Sequence, residues 1–143
     1  MDDIVWSIKP QNDSMEKHIA RMREFANQVL ESKDIVFSME VDDRILGMKL
    51  SMDARRDLFL IFKEGINNAA KYSGAARVFI SFGLEGHLFT MRIRDYGKGF
   101  DMAEIDEGNG LENMKKRASN LGGNLEIKTE AEKGTELTLR VHL

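Results

Sequence analysis

Apolar positions along the chain recur at two periods, and the switches between them mark out its elements. Met15, Ile19, Met22, Ala26 and Val29 are separated by alternating steps of four and three, the spacing of one face of an amphipathic helix. Asp13 or Ser14 stands before them as a cap, with Glu16 as a capping-box partner. The pattern predicts a helix from about Ser14 to Glu31. Ile35, Phe37, Met39 and Val41 then alternate with Val36, Ser38 and Glu40, the period of a strand with one preferred face. A second helix is expected over roughly Asp53 to Tyr72, with Leu58, Phe62, Ile66 and Ala69 on its core face. Val78, Ile80 and Phe82, then Phe89, Met91 and Ile93, alternate on either side of Gly83 to Gly86, which reads as an antiparallel hairpin turning at those glycines. After a glycine-bearing loop, Leu111, Met114, Ala118 and Leu121 give a third helix stopped by Gly122 and Gly123. Two alternating strands close the chain, Leu125 to Thr129 and Glu136 to Leu143.

The order α, β, α, β, β, loop, α, β, β, with mostly antiparallel neighbours, predicts a two-layer α/β sandwich whose three helices cover one face of the sheet. Pro10, the single proline, divides a leader at 1–12 from a domain at 13–143. The leader carries Ile4, Val5, Trp6 and Ile8, more apolar surface than a free terminus exposes, and is expected to pack on something.

Composition narrows the function classes. A chain of 143 residues, 42% hydrophobic and 31% charged, suits one soluble domain with its own core. Its longest apolar run, Leu58 to Phe62, is too short for a spanning helix. Cysteine is absent, which removes disulfides, zinc thiolates and a cysteine nucleophile from this chain. The charge, 21 minus 24 or -3, gives no basic field for nucleic acid, so any anion site has to be local. His18, His87 and His142 show no metal-ligand spacing, and each reads as an ordinary surface or strand residue.

Four short segments carry candidate chemistry. Glu64, Asn68 and Lys71 are spaced so that they fall within roughly 60° of arc on one helix face, away from the apolar side. Gly65, inside the same helix, costs about 1 kcal/mol relative to alanine, which points to close backbone packing or a nearby ligand. Asp95-Tyr96-Gly97-Lys98-Gly99 sets a carboxylate at a strand end, followed by two glycines that let the backbone approach a ligand. It is neither a dinucleotide fingerprint, since Met102 takes the third glycine's place, nor a P-loop, since Arg92 takes the first's. Gly108-Asn109-Gly110-Leu111 opens the third helix, whose amides can receive phosphate oxygens. Gly134-Thr135 begins the last strand. Each segment alone also fits a solvated helix face or an ordinary turn.

In order and spacing the four together resemble the GHKL family of ATP-binding domains, specifically the catalytic domain of sensor histidine kinases of the nitrate-sensor and desaturase-sensor type. Glu64 to Lys71 resembles the N box, Asp95 with Gly97 and Gly99 the G1 box, Gly108 with Gly110, Leu111 and Met114 the G2 box, and Gly134-Thr135 the closing Gly-Thr. Tyr72 departs from the histidine these N boxes often carry after the lysine.

The resemblance implies a Bergerat fold that binds ATP with Mg²⁺. Asp95 and Thr135 would receive the adenine edge and Asn68 the Mg²⁺. Lys71, Gly97, Gly99, Gly108, Gly110 and Leu111 would hold the nucleotide, and Glu64 would act as base or polarising group. Phe100 to Glu107 would be a short lid, and Asp2 to Ile8 the end of an upstream dimerisation and phosphotransfer helix. It also implies an acceptor histidine upstream, a response regulator as downstream partner, no nucleic acid, and a homodimeric parent from which this chain is a monomeric piece. The parent would be a membrane-anchored bacterial sensor with this domain in the cytoplasm. A non-catalytic nucleotide-binding module, an anti-sigma-type serine kinase and a pure interaction domain are the competing readings.

Overall fold

The computed structural model describes residues 14–72, 74, 76–97 and 110–143. Its elements are helix α1 (Met15–Glu31), strand β1 (Val36–Val41), a short helix α2 (Asp43–Leu46), helix α3 (Met52–Tyr72), strands β2 (Arg77–Glu85) and β3 (Leu88–Asp95), helix α4 (Gly110–Asn120), and strands β4 (Gly123–Glu130) and β5 (Gly134–His142). The leader with Pro10, the capping residue Asp13, the lid segment, Gly99 and Gly108 lie outside the described residues.

The five strands form one sheet in the order β1-β2-β3-β5-β4. β1 joins β2 in parallel, through the crossover that contains α3, and every other pair is antiparallel. Alternation dictates which face is covered. Val78, Ile80 and Phe82 of β2, Phe89, Met91 and Ile93 of β3, and Leu137, Leu139 and Val141 of β5 are all buried. They meet Leu58, Phe62, Ile66 and Ala69 of α3, with α1 and α4 packed on either side of that helix. This is the expected two-layer sandwich. Arg117 of α4 reaches Asp57 of α3 at 3.2 Å, an ion pair that fixes register at the helix interface more than it adds stability.

Three details differ from the sequence reading. The hairpin turns at Gly86-His87, not over Gly83 to Gly86, because Gly83 pairs with Thr90 and Leu84 with Phe89. Gly86 takes a left-handed φ of 59°, which suits a tight connection. The expected capping box is not formed. Ser14 is the N-cap of α1 but makes no side-chain cap bond, and its backbone bridges antiparallel to Lys49. The single turn α2 was not anticipated, being too short to show a period. It is nucleated by Asp42, whose side chain accepts from the Arg44 backbone N–H at 2.9 Å and from its guanidinium at 2.6 Å.

His18 also departs from expectation, since it is wholly buried in the core face of α1. It lies beside the equally buried Arg55 of α3, with its ring 6.1 Å from that of Phe59. Burial first, then the Arg55 and Arg21 charges, lower its pKa to about 4, so the ring is neutral at physiological pH.

Candidate functional site

The central residue of the site is Asp95, the last residue of β3. Pairing of β3 with β5 sets Asp95 opposite Thr135, two positions far apart in the chain. The Asp95 side chain is only 2% exposed, and its Oδ1 accepts from the backbone N–H of Gly97 at 3.1 Å and of Thr135 at 3.3 Å. One oxygen is thus pinned by the scaffold, and none of the described residues donates to the other. Desolvation raises the Asp95 pKa, and the two N–H donors and the Arg94 charge offset part of that rise.

Gly134 makes this approach of strands possible. It sits at φ 102°, and a Cβ there would overlap the carbonyl oxygen of Asp95. Thr135 then places its hydroxyl on that of Thr129 at 2.9 Å, which fixes the side chain against β4.

Facing Asp95 across a narrow cleft is α3. Gly65, Asn68 and Ala69 of the helix, with Ile93, Asp95, Ile127, Thr135 and Leu137 of the sheet, line a narrow cavity of about 10 Å³, barely room for one water. Gly65 lets the helix lie this close, because a Cβ would stand 2.8 Å from Cδ1 of Ile93 and 3.3 Å from Cδ1 of Leu137. Close backbone packing, the first of the two expectations for Gly65, is what it does. Asn68 is 7% exposed, so the polar stripe is not a solvated face at this position. Among the described residues no hydrogen bond reaches its side-chain amide, which borders the cleft and is not sealed from it, so a ligand or water can supply the partner.

Glu64, one turn before Asn68, points to a different neighbour. Its carboxylate lies against the backbone of Gly110, where a Cβ would overlap it. Gly110 is the first residue of α4, so the acid stands at a helix N-terminus, where its charge is favoured. Beyond it, a second cavity of about 220 Å³ opens between α3 and α4, lined by Lys63, Glu64, Asn113 and Arg117 among others.

The structure therefore brings Asn68, Asp95, Gly97 and Thr135 to one cleft and Glu64 with Gly110 beside it. Lys71 is exposed in the last turn of α3. Leu111 is buried in the core at the start of α4, where it anchors the helix end rather than lining the cleft. Ile93, Ile127 and Leu137, the apolar walls, were read only as strand positions. Their inward alternation marked them as core, and only sheet pairing shows that they border a cleft. Among the described residues no three His, Cys, Asp or Glu side chains are grouped to hold a metal ion.

A family model described as "Histidine kinase-, DNA gyrase B-, and HSP90-like ATPase" matches residues 53–143. The sensor histidine kinase LiaS of Bacillus subtilis is 30% identical over 104 residues, 72% of this chain and 29% of the relative. The signal transduction histidine-protein kinase/phosphatase DegS of Brevibacillus brevis is 36% identical over 85 residues, 59% of this chain and 22% of the relative. This chain thus spans less than a third of the length of either. Among solved structures, the histidine kinase domain from the Erythrobacter litoralis EL346 blue-light activated histidine kinase superposes with a TM-score of 0.73 at 14% identity, covering 87% of this chain and 60% of that one. The Acinetobacter baumannii histidine kinase AdeS gives 0.72 at 17% identity, covering 90% and 64%. Likeness at such low identity shows a shared fold.

Proposed function

This chain belongs to the family of histidine kinase-, DNA gyrase B- and HSP90-like ATPases, and from that premise we propose that it is the ATP-binding catalytic domain of a two-component sensor histidine kinase. The observation that carries the proposal is the Asp95 carboxylate, buried at the cleft with one oxygen held by two backbone donors. A fixed acceptor of this kind receives the exocyclic amino group of adenine and rejects guanine, which presents a carbonyl oxygen there. Thr135 supports the same edge.

Phosphoryl transfer needs positioning and charge stabilisation more than covalent help. Lys71, Gly97 and Gly110 are assigned to the nucleotide, together with Gly99 and Gly108. Leu111 serves it indirectly, by seating the end of α4 that presents Gly110. Mg²⁺ is assigned to Asn68, whose side-chain amide borders the cleft and whose oxygen would take one coordination position while waters and phosphates take the rest. When bound, the ion neutralises phosphate charge. Glu64 is assigned as the group that polarises the acceptor. The γ-phosphoryl group would leave the β-phosphate oxygen for an imidazole nitrogen on an upstream phosphotransfer domain, yielding ADP and a phosphohistidine that supplies a response regulator. In the whole protein this domain would work in the cytoplasm, as part of a dimeric, membrane-anchored sensor.

Calorimetric titration with a non-hydrolysable ATP analogue, with and without Mg²⁺ and against the GTP analogue, tests the nucleotide site. Micromolar, adenine-selective binding is expected, and no binding at millimolar ligand would overturn the reading. Phosphoryl transfer to a supplied phosphotransfer domain tests the activity. The product should be acid-labile, as phosphohistidine is and phosphoserine is not. Glu64→Gln should keep binding and lose transfer, and a retained rate would remove Glu64 from the chemistry.

A further inference from the structure

Asp95 does not stand alone at its end of the sheet. The register of β3 with β5 sets it opposite Thr135, and the register of β5 with β4 sets Thr135 opposite Thr129. Asp95, Thr135 and Thr129 therefore form one row across three strands, ending at β4, an edge of the sheet. Ile127, two residues before Thr129 on the same strand, is a wall of the cleft, so alternation turns Thr129 toward the cleft side of the sheet as well. Thr135 is buried and lines the cleft directly.

The row sorts into donors and acceptors. An ionised Asp95 carboxylate has no proton to give. The backbone N–H of Thr135 is directed at Asp95 Oδ1 at 3.3 Å. A threonine hydroxyl carries one proton and two lone pairs, and Thr135 donates its proton to the Thr129 hydroxyl oxygen at 2.9 Å. What the Thr135 side chain has left for the cleft is acceptor capacity alone. A ligand edge that meets these two side chains finds acceptors from both, which suits an amino group and gives nothing to a carbonyl oxygen. Cross-strand threonine pairs also steady a sheet, but that role is served whichever hydroxyl donates. The direction of the bond matters to what Thr135 shows the cleft.

We propose that Thr129 is a specificity-determining residue for the purine. By holding the Thr135 proton it keeps Thr135 an acceptor, and so denies a hydrogen bond to any purine that carries oxygen at C6. Thr129 acts through Thr135, as a positioning residue. The proposal rests on the reading of the cleft as an adenine-nucleotide site, and it adds the residue that sharpens adenine against hypoxanthine and guanine. In Thr129→Val the acceptor is gone, the Thr135 hydroxyl is free to turn its proton toward the cleft, and a 6-oxo purine gains a donor.

Calorimetric titration of the full chain with non-hydrolysable analogues of ATP and ITP tests this, because adenine and hypoxanthine differ only along the C6–N1 edge. The unsubstituted chain should favour the ATP analogue. Thr129→Val should narrow that preference about 3- to 10-fold, the worth of one neutral hydrogen bond, chiefly through tighter binding of the ITP analogue. Thr129→Ser, which keeps the hydroxyl, should restore the preference. In a Thr135→Val background, Thr129→Val should change it no further. Valine suits a strand, and circular dichroism checks the fold of each variant. An unchanged preference in Thr129→Val would overturn the proposal, whether both affinities hold or both fall equally as a merely structural contact requires. A change that persists without the Thr135 hydroxyl would overturn it too. Each of these results leaves adenine-selective binding by the unsubstituted chain intact, whereas absence of that binding overturns the nucleotide reading and this proposal together.

Discussion

A carboxylate at Asp95 is held where its charge is disfavoured. Its pKa is raised above the ordinary value chiefly by desolvation, so ionisation is less favourable in the fold than in the unfolded chain, and its cost appears as pH rises through the usual carboxylate range. Asp95→Asn keeps an oxygen for the Gly97 and Thr135 donors but puts an amino group where Oδ2 stood. At neutral pH the variant should therefore unfold at the same temperature or a higher one, while ATP affinity falls at least about 10-fold through a donor facing a donor. Thermal unfolding and calorimetry on one sample check both halves, and unchanged affinity would take Asp95 out of the adenine contact. His18 carries the opposite sign. Its folded pKa of about 4 lies below the ordinary 6.5, so its contribution is fully present above about pH 6.5 and is lost as pH falls toward 4, because the unfolded chain takes up the proton first. The full swing is up to about 3 kcal/mol. Urea unfolding at several pH values should show that slope, and His18→Leu should flatten it.

At the scale of elements, the site depends on how closely β5 enters beside β3. Gly134→Ala would bring a Cβ onto the Asp95 carbonyl at a φ of 102°, and since backbone cannot swing aside as a side-chain end can, we expect a loss of more than about 2 kcal/mol. A denaturant midpoint within error of the unsubstituted chain would refute the crowding. The elements themselves were largely legible, because α1, α3 and α4 each carry a sustained 3.6-residue period and the strands a clean alternation. What escaped was set by pairing or by brevity. The parallel junction of β1 with β2 leaves no local mark in sequence, and α2 is one turn long. His18 and Arg55 were legible in principle. His18 falls three residues after Met15 and four before Met22, and Arg55 three before Leu58, so both stand on apolar faces that their polarity disguised. The four motifs were visible as a set, but the burial of Asn68 exists only once α3 lies across the sheet, and the pinning of one Asp95 oxygen only once β5 pairs with β3.

For the whole molecule, the cleft is assembled from α3, β3 and β5, elements whose sequence separation means that no one of them holds it alone. A ligand seated there bridges the helical layer to the sheet and binds only the folded state, so its affinity adds to global stability. At one hundred times its dissociation constant the increment is about 2.7 kcal/mol, which for a domain of this size raises the unfolding temperature by roughly 8 to 10 °C. The ATP analogue should produce that shift, the GTP analogue little of it, and Asp95→Asn should abolish it. Glu64→Gln should leave it in place, because Glu64 lies beside the cleft against Gly110 and not among its walls. Between the described walls the cleft beside Asp95 admits barely one water, so a purine seated there needs apolar wall side chains such as Ile127 to give way. Association slower than diffusion, and slower than in a variant whose cleft wall is trimmed by Ile127→Ala, is therefore expected in stopped-flow binding. Equal association rates in the two proteins would mean that the cleft is already open in solution.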